Sequence, residues 1–380
     1  MEKGQTKVIG VVAALVVLTG LTFRLLNREP APREPGNDGF FTASPPPTSG
    51  AAMARTQPAA PPRATAPDAD DAAGVGSAPG VSREQIEEYL TRHHRSAASL
   101  LAAFHASRDG AHPSGDIQYL REAAANFPGD PRVQLAVLAH DVFPEDRRKW
   151  IDAFKTASPD NSLGNYLSAR EHFQNQQADA AIHELQQASA KSEYADFAME
   201  SYLGAEEIFR ELGRTQLEAN TAAMTAMAAD LLPQLSNMKG IAQAIVDAQA
   251  RYADSGDAAL MQSLSQMGLQ LAGQLTGGEG GRFLISRLTG DAAETLVLRA
   301  LDPDTRYDFL GGQTAAQRLE GLSQQRHDFR ALMRDFNGAF LRMSPAEQVS
   351  YVERVKVYGE VAAMRWLQER SAATGTRTGE

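Results

Sequence analysis

NSLGNYLSAREHFQNQQADAAIHELQQASA, residues 161–190, holds two helical runs on either side of a polar turn. The residues just before it show how this chain builds such pairs. Pro159 ends one helical run, and Asp160 or Asn161 supplies the short polar side chain that starts the next. The stretch ANFPGDPRV, 125–133, uses the same device. Pro128 stops a helix, and Asp130 caps another with Pro131 at its first position. Pro128 and Pro159 stand 31 residues apart, about the length of one helix pair.

Working outward, the apolar residues recur at helical spacing almost everywhere beyond residue 81. SREQ at 82–85 is a capping box that opens a helix expected to run to about Phe104, with Ile86, Tyr89 and Leu90 on its buried face. Gly110 and Pro113 end it, and Ile117, Leu120, Ala124 and Phe127 form the next stripe. Pro144 opens a helix that buries Trp150, Ile151 and Phe154. Stripes continue through Tyr194–Leu212, Leu217–Leu231 and, after an interruption at Pro233, Leu235–Tyr252 and Leu260–Leu275. A long helix from about Thr314 to Arg342 precedes a last one from Pro345, opened by a second capping box in SPAE, 344–347, and carrying Val349, Val352, Val355, Ala362 and Trp366. Ala, Leu, Glu, Gln and Arg dominate the second half, while Val and Ile are scarce, so the body is expected to be all-α, built of antiparallel helical hairpins.

Residues 161–190 resemble one tetratricopeptide repeat. The match puts the small residue of the first helix at Ala169, those of the second at Ala181 and Ala188, and the large apolar position between them at Leu185. His172 stands where the usual tyrosine would be, Gln176 where the turn glycine would be, and no proline follows Ala190. The resemblance is weak over 115–160 and absent beyond Glu193. It implies a concave groove lined by the first helix of each repeat, with Tyr166, Arg170 and Gln174 on the partner-binding side.

The first 81 residues are different. VIGVVAALVVLTGLTF, Val8–Phe23, carries no charge and rises ~24 Å as a helix. Extended through Leu25 and Leu26 it is expected to anchor the chain in a membrane through residues 8–26, the competing reading being a cleaved signal peptide, for which there is no good A-x-A site. Lys3 and Lys7 precede the span, and Arg24, Arg28 and Arg33 follow it, so charge does not fix its orientation. The long spacer after a very short leading tail favours a body on the extracytoplasmic, periplasmic side. Residues 27–81 hold 11 of the 19 prolines and lack the apolar mass to repay ordering, so they are expected to be a disordered tether. The resulting plan is an anchor over 1–26, a linker over 27–81, repeat-like hairpins over 82–212, a C-terminal all-α region over 213–370 and a frayed tail over 371–380.

Charge and chemistry narrow the function. The chain carries a net charge of −10, with basic residues interleaved among acids, which argues against a nucleic-acid partner. It has no cysteine, so thiolate zinc sites, iron–sulfur clusters, thiol nucleophiles and disulfides are excluded. TGGEGGRF, 276–283, lacks the lysine of a phosphate-binding loop and follows a helix, so it is expected to be a flexible turn. None of the eight histidines sits in H-E-x-x-H, although His172 and His183, with Glu171 and Glu184 beside them, fall within one hairpin. Met199, Met224, Met227, Met238, Met261 and Met267 have the spacing of core filler. The sequence thus leads to a membrane-anchored, non-enzymatic docking module for a protein or peptide, with no metal or cofactor. Two alternatives remain. One is a steric chaperone, since the layout is similar to that of anchored lipase foldases, and Arg306-Tyr307-Asp308-Phe309 loosely echoes their R-x-x-F-D-Y stretch. The other is an all-α enzyme whose acids or histidines converge only on folding.

Overall fold

A computed structural model describes residues 81–108, 115–253 and 256–375, with side chains as far as Arg370. The expected anchor, nearly all of the linker, the break at Gly110–Pro113 and the last five residues lie outside the described residues. Among the described residues there are fourteen α-helices and no strand, only two isolated bridges, Asn161 to Glu193 and Arg306 to Thr314. None of these helices is long and apolar enough to cross a membrane.

The helices are α1 (Arg83–Arg92), α2 (Ala97–Ala106), α3 (Ile117–Asn126), α4 (Pro131–Ala139), α5 (Arg147–Ala157), α6 (Leu163–Gln174), α7 (Ala178–Ser189) and α8 (Ala198–Glu211). They continue with α9 (Gln216–Ala253), α10 (Ala258–Thr276), α11 (Leu284–Arg299), α12 (Ala315–Phe340), α13 (Pro345–Tyr358) and α14 (Glu360–Gly375). From α1 to α7 each helix packs on the next in sequence, as stacked hairpins do. The even-numbered members α2, α4 and α6 also meet α9, and α8 packs on both α2 and α9. On its other sides α9 touches α10, α11 and α13. It is the spine of the molecule. One hydrophobic cluster runs unbroken from Ile86 in α1 to Leu367 in α14, across the expected boundary at 212/213.

Local chemistry accounts for most helix ends. Ser82 and Gln85 form their capping box, as do Thr314 with Gln317 and Ser344 with Glu347. Asp130 accepts from the Arg132 amide with Pro131 at the first position. Asn161 Oδ1 accepts from both the Leu163 and Ala195 amides, so it starts α6 and ties the α7–α8 connection to it. Ala169, Ala181, Leu185 and Ala188 are all fully buried, and α6 packs against α7 along their length. Gln176 sits at φ +61 in the left-handed region, the conformation for which glycine is the unstrained residue. Its side chain is exposed, so Gln176→Gly is expected to stabilise the body by up to about 1 kcal/mol in chemical denaturation, the left-handed penalty outweighing glycine's extra chain entropy.

Four expected boundaries change. The first helix does not run to Phe104. It breaks at His93–Ser96, where His94 and Arg95 take positive φ, and the Arg95 guanidinium is held by Glu122 and Glu87 at 2.6–2.7 Å. Pro144 opens a single 3-10 turn, Pro144–Asp146, before α5 begins. The last helix is two, split at Gly359, where φ is +83 and an added Cβ would stand 3.0 Å from the Arg282 carbonyl oxygen, a position that disfavours any side chain. Pro233, in contrast, does not divide its helix: α9 is continuous for 38 residues, about 57 Å. The turn 277–283 is not open either. A Cβ on Gly280 would lie 2.3 Å from the Gln274 carbonyl oxygen, and one on Gly281 2.1 Å from that of Thr276, so these glycines are required by close backbone approach.

Candidate functional site

Tyr166, Arg170 and Gln174 are four residues apart on α6 and form one row along it. The row passes from covered to open. Tyr166 is fully buried, and its hydroxyl donates to Gln274 Oε1 on α10 at 2.8 Å. Gln274 in turn accepts from the Ser162 hydroxyl at 3.0 Å and donates to the Lys191 carbonyl. Burial pushes the Tyr166 phenol well above its usual range. Arg170 is half-buried under α9, where its Nη1 donates to the Asn237 carbonyl at 3.3 Å. Burial, with Arg147 nearby, lowers its pKa. Gly240 leaves space for this guanidinium, since a Cβ there would stand 2.5 Å from Nη1. Gln174, at the end of the row, is exposed. The side on which the repeat resemblance implies a groove is therefore covered at Tyr166 and Arg170 by the chain's own α9 and α10.

A second constellation lies where α2 and α4 end against the same spine. The C-terminal turn of α2 brings His105 and Arg108, the residue after α4 is His140, and α9 supplies Asp230. Asp230 Oδ1 accepts from Arg108 Nη2 at 2.5 Å and bonds His140 Nε2 at 2.9 Å, while its Oδ2 lies 3.4 Å from His105 Nε2. Arg108 also donates through Nη1 to the Ala226 carbonyl at 2.7 Å, and its guanidinium lies 4.8 Å over the Phe104 ring. Burial alone would raise the Asp230 carboxyl. The facing His105, His140 and Arg108 outweigh it and hold the group far below the usual carboxylate range. Beside the cluster is a cavity of about 60 Å³, lined among others by His105, Asp196, Asp230 and Gln234. That is room for roughly two waters. Burial also raises Asp196, on the cavity wall, to about 6.

His105 is the member whose chemistry is exposed to test. It is 3% accessible, its Nδ1 has no partner, and burial pushes its pKa down to about 4, against the pull of Asp230. An unfolded histidine takes its proton near 6.5, so between about 6.5 and 4 the unfolded chain binds a proton that the folded chain refuses. His105 therefore withdraws stability as pH falls through that window, about 3 kcal/mol in full. Asp196 and Asp291, both raised to about 6 by burial, work in the opposite sense, because the folded state protonates first. The global stability curve mixes the three, so the check is local. The imidazole NMR signals of His105 are expected to stay constant from pH 7 to 5, and a midpoint near 6.5 contradicts the burial.

The other predicted groups separate. His172 Nδ1 pairs with Gln177 at 2.7 Å and His183 Nε2 with Gln187 at 2.9 Å, so the two histidines do not converge. Glu171 binds Arg148, and Glu184 binds Lys155 and Asn165. Arg306–Phe309 forms a surface turn in which the Tyr307 hydroxyl accepts from the Asp302 amide. Four of the six methionines, Met224, Met227, Met238 and Met267, are buried in the core. His93, Glu207 and Glu211 place possible metal-ligand atoms within 4.8 Å of one another across α1 and α8. They are at least partly exposed, and Arg92 already binds the second Glu211 oxygen at 2.7 Å. That offers three donors where a structural zinc takes four.

The Asp230 cluster was not legible in the sequence. Its members lie up to 125 residues apart, His105 to Asp230, and the only local sign was an aspartate inside an otherwise apolar helical stripe. Comparison with known proteins adds no relative: no family model, no curated protein and no solved structure matches the chain.

Proposed function

We propose that the chain is a membrane-tethered, non-enzymatic interaction protein, with its body on the extracytoplasmic side and its hairpins α1–α8 acting as a receiver for helical or extended segments of a protein partner. The observation that carries this reading is the way the hairpins hold α9. Arg108 and Arg170, one at each end of the inner row, grip it by main-chain carbonyls, those of Ala226 and Asn237. Contacts of that kind recognise a helix by its shape more than by its side chains. The enclosed titratable cluster supports the same reading, because Asp230 is already saturated by Arg108 and His140 beside a space of only about 60 Å³. A substrate pocket is usually of order 300 Å³ or more.

The open end of the row, at Gln174, is the place where a partner segment would continue past α9. The test is a photo-crosslinking side chain at Gln174 in the membrane-bound full chain, compared with one at exposed Lys149 on α5. A discrete adduct to a second polypeptide from position 174 but not from 149 is expected. Adducts from neither position, across growth conditions in which the protein is made, overturn the docking reading.

A further inference from the structure

The C-terminal helices enclose a depression of about 510 Å³ at the surface, between the turn 277–283, the start of α11, the end of α13 and α14. Four arginines line it: Arg282, Arg287, Arg354 and Arg365. Arg282 is already neutralised, its Nη2 donating to Glu279 at 2.6 Å. The other three have no carboxylate partner among the described residues. Arg287 spends only its Nε, on the Gly281 carbonyl at 2.6 Å. Arg354 lies 4.4 Å over the Trp366 ring, which leaves the edges of its guanidinium fork free. Arg365 is exposed. Against these three cations the lining carries a single acid, Glu369. Glu360, partly buried and outside the lining, accepts from the Leu284 amide at 2.8 Å. Lys356, next to the rim, is held by Glu206 and Glu353. In a chain of net charge −10 this is a concentrated positive field of about two unmatched charges, inside a shaped depression.

We propose that this depression binds a phosphate group. Several guanidinium forks around one concavity suit a tetrahedral dianion, which offers more acceptor oxygens than a carboxylate and takes paired hydrogen bonds from each fork. The rim adds a second feature. Val357 and Tyr358 line the depression and are each 65% exposed, the most exposed of the large apolar side chains among the described residues. An aliphatic and an aromatic side chain beside a cationic pocket are suited to a phosphate that carries an apolar body, as a phospholipid headgroup does. The shared chemistry is the phosphate, and its source is either a lipid or a free ion. This site stands independently of the docking role proposed above.

Trp366 reports on the site through its stack with Arg354. The full chain in neutral maltoside detergent, with Trp150→Phe to leave one indole, is titrated with inorganic phosphate and separately with a short-chain phosphatidic acid. Both are expected to shift Trp366 fluorescence saturably, and Arg365→Glu combined with Arg287→Gln is expected to weaken both at least about tenfold. Lys149→Glu, the same charge reversal as at position 365 but on α5, is expected to leave binding unchanged. Far-UV circular dichroism confirms folding, and Arg365→Gln alone supplies a milder variant with a smaller loss. A tighter response to the lipid that Val357→Ser and Tyr358→Ser abolish supports the lipid source. Equal responses, insensitive to those two substitutions, support the free ion. No saturable response to either probe, or equal loss with Lys149→Glu, overturns the site.

Discussion

Asp230→Ala is expected to cost the body about 3–5 kcal/mol, the largest effect of any single substitution considered, read as a lowered midpoint in urea or thermal unfolding. The reason is the partner left behind. Arg108 is only 10% exposed and cannot shed its charge, so losing Asp230 leaves a buried cation with no counter-ion. His140, 14% exposed, loses its acceptor at the same time. The double variant Arg108→Met with Asp230→Leu is expected to recover much of the loss, because no charge then remains to be desolvated. A change below about 0.5 kcal/mol for Asp230→Ala, as at an unremarkable surface position, means that the cluster does not lock α2 and α4 to the spine.

Pro233→Ala is expected to act in the other direction, stabilising the body by about 1–3 kcal/mol. Pro233 lies inside α9 with its ring exposed, so removing it forfeits no core packing. Alanine restores the amide that the Ala229 carbonyl lacks and relieves the clash of the ring with the preceding turn. The measurement is again the unfolding midpoint. A destabilised variant means that the hairpins are shaped to a bend at this proline and do not accept a straighter rod.

That proline also shows where sequence reasoning stopped. Its local meaning, a broken helix, is correct as a propensity, yet Met227, Leu231, Leu235, Met238 and Ile241 are buried on either side of it and hold the rod together through tertiary contact. Local signals worked where the cause was local. The caps at Ser82, Asp130 and Ser344, and the small residues Ala169, Ala181 and Ala188, act within a few residues of themselves or within one hairpin. The break at His93–Ser96 escaped because Arg95 is held in its turn by Glu122, 27 residues away. Tyr166 and Arg170 were placed on the inner side of the hairpins by resemblance alone. What lies against them, α9 and α10, comes from a part of the chain where no repeat is legible. The arginine pocket was equally hidden, since its cations are drawn from 282–287 and 354–365, each stretch mixed in charge when taken by itself.

The central claim is that the hairpins close on the chain's own long helix. It is tested most directly by placing a photo-crosslinking p-benzoylphenylalanine at Arg170 in the full chain and mapping the adduct by mass spectrometry. The geometry puts that position against the Asn237 carbonyl and Gly240, so the adduct is expected within 237–241 of the same molecule. Adducts only to segments outside 216–253, or only to a second polypeptide, would show an inner face that α9 does not occupy.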